Sequence, residues 1–127
     1  MRKLLLLAIA VLGMSTAQAQ KITAQDFAKY SQAQVGQDVG MGFVMTNIYA
    51  NGNTVVYVAE VPASFAPAMR AANGNPSAMK TSKDGVIRYF NSLKLGPIFI
   101  ESKVNIKYVY QYNRQTLATV VINWYDF

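Results

Sequence analysis

The chain has 127 residues, with twelve Lys or Arg, six Asp or Glu, no His, no Cys and a net charge of +6. Without Cys there are no disulfides, and without Cys or His the usual zinc and copper ligand sets and the Ser-His and Cys-His nucleophile pairs are excluded. Neither a metal nor a cofactor is therefore expected, and the length suits one small domain.

Arg2 and Lys3 open the chain, an unbroken apolar run follows from Leu4 to Leu12, and Ala17-Gln18-Ala19 closes the segment with small residues at alternate positions. This is the order of a secretory signal peptide. A cationic start is held at the inner membrane face, an apolar stretch enters the bilayer, and small residues fit the pockets of a signal peptidase. The apolar run covers about a dozen residues, against ~20 for a spanning helix, so cleavage after Ala19 is expected rather than an anchor. Gln20 follows the cleavage point and there is no Cys to carry a lipid. No transmembrane or lipid anchor is expected to remain after cleavage. Removing residues 1–19 from 127 leaves 108, expected to form a single α+β domain over residues 20–127 in the periplasm or secreted. Two of the twelve basic residues leave with the signal, so ten face six acids, a balance of +4. That mild excess suits weak attraction to anionic sugars, lipids or an acidic partner, and export argues against nucleic acid.

Ile22 to Ala33 reads as a helix. Thr23 can cap it, Asp26 favours the positive helix end, Ile22 and Phe27 occupy staple positions, and Gly36 stops it. Met41–Ala50 and Thr54–Val61 are β-rich runs separated by Asn51-Gly52-Asn53, a hairpin signal. Val55, Tyr57, Ala59 and Val61 share one face and Thr54, Val56, Val58 and Glu60 the other. Both faces are partly apolar, so the hairpin is expected to be covered on one side and half covered on the other.

Pro62 ends this strand. A short helix is expected within 63–72, and Asn73-Gly74-Asn75-Pro76 breaks it. A second helix is expected over 83–93, with Val86, Ile87, Phe90 and Leu93 on one face and Thr81 or Ser82 as cap. Gly96-Pro97 closes that region, and Ile98–Ile100 reads as an early start of the next strand or as a separate short one. Val104, Ile106, Tyr108, Tyr110 and Tyr112 then alternate with Asn105, Lys107, Val109 and Gln111, the cleanest two-residue period in the chain. Asn113-Arg114-Gln115 turns it, and Thr116–Tyr125 returns. Val120–Phe127 resembles the last strand of outer-membrane barrel proteins, with Val121, Tyr125 and Phe127 at alternate places and Asn123 interrupting. The smallest such barrels need ~8 strands, twice what these patterns allow. The expected fold is α+β, of order α-β-β-α(α)-β-β. Two hairpins form a four-stranded antiparallel sheet with helices packed on one face.

The six acids, Asp26, Asp38, Glu60, Asp84, Glu101 and Asp126, are scattered, and no spacing among them pairs two carboxylates for hydrolysis. Ser77-Ala78-Met79-Lys80 has a Ser-x-x-Lys spacing without the other elements of such hydrolases. A hydrolase using Asp38 or Glu101 is the least favoured reading. The expected protein is not an enzyme but an exported binding or accessory module of the bacterial cell envelope, either an inhibitor or an assembly factor. It would contact an envelope or secreted protein through a sheet face or strand edge. The candidate partner-binding residues are Tyr108, Tyr110, Tyr112, Lys107, Arg114 and Trp124, because tyrosines interleaved with cations combine contact area with hydrogen-bonding hydroxyls. The competing placement of the tyrosines is beneath the helices as core, which Val104 and Ile106 on the same face favour. The alternative function is a periplasmic carrier holding a small apolar ligand between sheet and helices, lined by Met41, Phe43, Met45, Phe90 and Trp124.

Overall fold

The computed structural model describes residues 22–127, and the expected signal peptide with its cleavage point lies outside the described residues. The first helix, α1 (Ala24–Ser31), starts where the local chemistry requires. The Thr23 hydroxyl accepts from the Asp26 N–H at 3.1 Å, and the Asp26 carboxylate accepts from the Thr23 N–H at 3.1 Å. Two orphan donors of the helix start are satisfied reciprocally. Ala24, Phe27, Ala28 and Ser31 recur at helical spacing and are the buried residues of α1. A 3-10 turn over Gln32–Gln34 ends the segment, and Gly36 follows with a φ of +88°.

β1 (Val44–Asn51) and β2 (Thr54–Glu60) form the expected hairpin. Gly52, at φ +61°, supplies the positive φ of the tight turn. The first strand begins at Val44 rather than Met41, because Gly40, Met41 and Gly42 all have positive φ and form a tight turn instead. At Gly42 a side chain would also meet the Pro62 ring at 3.0 Å.

Between β2 and β3 the chain runs through a 3-10 turn (Ala63–Phe65) and three helices, α2 (Ala66–Asn73), α3 (Pro76–Ser92) and α4 (Gly96–Ser102). The expected helix over 83–93 thus starts earlier, at Pro76. The Asn75 side chain accepts from the N–H groups of Ser77 and Ala78 at 3.0 and 3.2 Å, and Pro76 opens the helix without needing a donor. Asn-Pro here is a helix start and not only a break. Pro97 likewise lies in the first turn of α4. The expected strand start at Ile98–Ile100 is therefore helical, and Lys103 ends it in the left-handed region at φ 55°. A short apolar run reads equally well as strand or helix.

β3 (Asn105–Tyr112) and β4 (Gln115–Ile122) make the second hairpin, with Asn113 and Arg114 both at positive φ in its turn. The sheet order is β1-β2-β3-β4. The expectation of a purely antiparallel sheet is corrected here: β2 and β3 run parallel, Thr54 beside Asn105 and Glu60 beside Gln111, so the sheet is mixed. The physical reason is the length of the connection. α3 has 17 residues, about 25 Å at ~1.5 Å per residue. A seven-residue strand such as β2 spans about 23 Å at ~3.3 Å per residue. The helical segment carries the chain back to the end where β2 began, and a strand started there must run parallel to it.

The core lies on one face of this sheet. Met45, Val55, Tyr57, Ile106, Tyr108 and Val120 belong to one buried cluster with Phe27 of α1, Met69 of α2, Phe90 of α3 and Phe99 of α4. Aromatic rings fill much of it. Phe99 is stacked between Phe27 at 4.5 Å and Phe127 at 5.0 Å, with Phe90 edge-on at 5.5 Å. Tyr57 stacks on Tyr108 at 5.4 Å.

Candidate functional site

The six candidate residues separate into distinct places. Tyr108 and Tyr110 are 1 % exposed and form part of the core under the helices. Tyr112 is half-buried and packs against the same cluster. Lys107, of opposite parity, is half-buried on the other face, and Arg114 is exposed in the β3–β4 turn. Trp124 lies beyond the other end of β4, in a 3-10 turn over Trp124–Asp126. The fold therefore brings Tyr108 and Tyr110 together but not with Lys107, Arg114 or Trp124. The end of the chain also departs from a continuing strand, since β4 stops at Ile122 and the Asn123 N–H donates to the Asp126 carboxylate at 2.8 Å.

Burial shapes the chemistry of the tyrosines. The Tyr57 hydroxyl lies 3.2 Å from the Ser31 hydroxyl, and burial pushes its ionisation well above the ordinary phenol range despite that hydrogen bond. Burial does the same to Tyr110. Neither supplies a phenolate at neutral pH.

Five of the six acids have local partners. Asp26 caps α1, and Asp38 accepts from the Gly40 N–H at 2.8 Å within its own turn. Glu60 accepts from the Asn113 N–H at 3.1 Å. Asp84 pairs with Lys80 at 2.7 Å, one turn away on α3. Asp126 pairs with Lys83 at 2.9 Å. Burial opposes ionisation of Asp126, but the Lys83 ammonium and the Asn123 N–H outweigh it and hold the carboxyl below its usual range. Among the described residues no three acids gather into a cluster able to hold a metal ion.

The residues named for a ligand cavity do not converge. Phe43, Met45 and Phe90 are buried in the core, whereas Met41 is exposed in the turn before β1. Trp124 follows the end of β4 that pairs with the start of β3, at the opposite end of the sheet from Met41.

A different surface emerges on the sheet face away from the core. The pairing register sets Tyr49, Val56, Lys107 and Val121 in one row straight across the four strands. Asn47, Val58, Val109 and Thr119 form the next row. Tyr49 and Val121, on the two edge strands, are 43 % and 44 % exposed, with Val56 and Val58 buried between them. None of these residues belongs to the core cluster. The signal for this face was present in the alternation, because Val56 and Val58 have the parity opposite to Tyr57. What alternation alone lacks is the register that aligns Tyr49 and Val121 with them.

The two sheet edges are partly blocked. The Gln32 side-chain amide donates to the Ile48 carbonyl at 2.8 Å, and the Met45 N–H donates to the Gln37 carbonyl at 3.0 Å along the outer side of β1. On β4 the Thr119 N–H donates to the Asn73 side chain of α2 at 3.4 Å. Of the low-charge β segments Val55–Val61 and Leu117–Trp124, the first is central in the sheet and the second includes this covered edge.

No family model matches the chain, and no curated protein matches it significantly. A crystal structure described as a "putative secreted protein" from Pseudomonas aeruginosa is similar in fold, with a TM-score of 0.60 at 19 % identity over 78 % of this chain and 84 % of that one. At that identity the likeness extends to the fold alone.

Proposed function

We propose that the protein is an exported, non-catalytic binding module of the bacterial envelope that contacts a protein partner through the outer face of its sheet. The observation carrying this reading is the row Tyr49–Val56–Lys107–Val121, which has exposed apolar side chains at both edges and a cation between them. Such a row offers apolar contact area with one charge to set register, an interface composition in which a few central residues dominate. The partly blocked edges favour the face over strand addition. Of the original candidates Lys107 lies on this face. Arg114 lies in the turn bordering its far end.

The signal-like N-terminus supports export. N-terminal sequencing of the protein recovered from envelope and culture fractions is expected to begin at Gln20; a start at Met1 would remove the export half of the proposal. The binding half is tested by capture of partners from the same fractions on wild type and on the double variant Lys107→Glu/Val121→Asp. A partner held by wild type and lost from the variant is expected. A control change at exposed Leu93, Leu93→Ser, should retain it. A partner that binds the face variant as well as wild type would exclude this surface.

A further inference from the structure

At the end of the sheet opposite Met41, the turn following β4 carries two adjacent aromatic rings, exposed Tyr125 and half-buried Trp124. Tyr125, at 67 % exposure, is more exposed than any other large apolar or aromatic side chain among the described residues. Its ring meets that of half-buried Trp124 at 5.4 Å and 85°, so the two rings form a corner. The turn is held from both sides. The Trp124 N–H donates to the Asn105 side-chain oxygen at 2.9 Å, the Asp126 carboxylate pairs with Lys83 at 2.9 Å, and Phe127 is stacked on Phe99 in the core at 5.0 Å. A pair of large rings fixed in this way loses little conformational freedom when something stacks on it.

The polar groups around the corner have capacity left over. The exposed Lys103 ammonium lies 5.7 Å from the centre of the Trp124 ring, and among the described residues it pairs with no carboxylate. Asn105 uses its oxygen on Trp124 and keeps its amide N–H groups as donors. Asn53 spends a donor on the Lys103 carbonyl at 3.2 Å and keeps its oxygen as an acceptor. The Asn105 N–H in turn donates to the Asn53 carbonyl at 2.9 Å, which ties the two amides into one frame.

We infer that this corner binds an acidic saccharide, a uronic-acid-type sugar. Its C–H face stacks on the exposed Tyr125 ring beside half-buried Trp124, its hydroxyls meet the Asn53 and Asn105 amides, and its carboxylate pairs with Lys103. The site is separate from the outer sheet face, and neither proposal depends on the other. A bilayer surface fits the same features less well. Membrane attraction calls for ~4–8 clustered cations, each contributing about 1 kcal/mol, and the corner offers one, beside amides that an acyl boundary would strip of water.

The experiment reads Trp124 directly, since it is the only tryptophan of the chain. Purified protein is titrated with trigalacturonic acid, with maltotriose and with phosphatidylglycerol vesicles, following indole emission. A saturable change is expected with the acidic trisaccharide and none with maltotriose over the same range. Lys103→Ala should weaken the midpoint at least about tenfold, the scale of one hydrogen bond to a charged group. Tyr125→Ala should weaken it by up to about tenfold, the scale of one stacked ring. Both side chains are exposed, and far-UV circular dichroism confirms that each variant is folded. Calorimetry with the same trisaccharide on Trp124→Phe covers the variant that loses the optical signal. Silence with the uronide, an equal response to maltotriose, or a response to vesicles alone would each overturn the inference.

Discussion

On the helix-facing side of the sheet, Tyr57, Tyr108 and Tyr110 lie close together with the Phe27–Phe99–Phe127 stack nearby in the same core. On the other side, the alternate positions of the same strands carry Val56, Lys107 and Val109. The strands are shared, so neither backbone nor hydrogen-bond ladder distinguishes the two sides. The difference is what meets the side chains. Rings that meet other rings are locked by neighbours on every side, and their removal leaves a void. An aliphatic and basic row whose edge residues Tyr49 and Val121 are 43 % and 44 % exposed has less to lose there and keeps edge area available for a partner.

The largest effect is expected at Phe99, which is fully buried between two stacked rings. Phe99→Ala should cost about 3–5 kcal/mol, through lost transfer energy and the cavity left behind. Equilibrium denaturation reads this as a lowered midpoint, and a loss under about 1 kcal/mol would show that the core closes over the gap. Tyr57→Phe keeps the ring but removes the hydroxyl beside buried Ser31. It should cost about 1–2 kcal/mol by the same measurement, because the Ser31 hydroxyl loses that partner inside the core.

Asp126 tests the border between the two sides, where the turn after β4 is tied to α3 through Lys83. Its carboxyl is held below the ordinary range in the folded state. The stability it contributes is therefore complete above the unfolded value of about 3.9 and is lost as pH falls through the lower folded value. Thermal unfolding of wild type and Asp126→Asn should differ at pH 6 and converge as the pH drops below about 4. A difference that persists at pH 2 would mean that the carboxylate charge is not what stabilises the turn. The smallest effect belongs to the outer face. Val121→Thr should change stability by no more than about 0.5 kcal/mol, and a larger loss would place Val121 in a packed environment.

Much of the local structure was legible in the chain because its determinants are local. Thr23 and Asp26 make the reciprocal cap that their spacing suggests, and Gly52 and Asn113-Arg114 make the two turns. What stayed hidden depends on distance. Pro76 and Pro97 each begin a helix, yet a proline among turn residues also reads as a break. The parallel pairing of β2 and β3 follows from where three helices return the chain, which no window of sequence reports. The candidate site suffered from the same limit. Tyr108 and Tyr110 have the alternation of a contact stripe and of a core stripe alike, and only the helices above them distinguish the two. Tyr49 and Val121 lie far apart in the chain and meet in one row only through the register of the intervening strands.

The parallel pairing also governs how the molecule assembles. Each hairpin closes over two residues, whereas Thr54 and Asn105 are partners across the helical crossover. Local turns form in about 1–10 μs, but a contact of such separation must first overcome the entropy of closing the long loop between. The two hairpins should therefore form early and the central pair late, so that folding is paced by the docking of two preformed halves. Until then Val55–Val61, a low-charge β segment that ends as a central strand, presents an open edge. Slow steps of this kind expose chains to self-association. Aggregation during refolding should accordingly rise with protein concentration, even though the finished sheet keeps that segment inside.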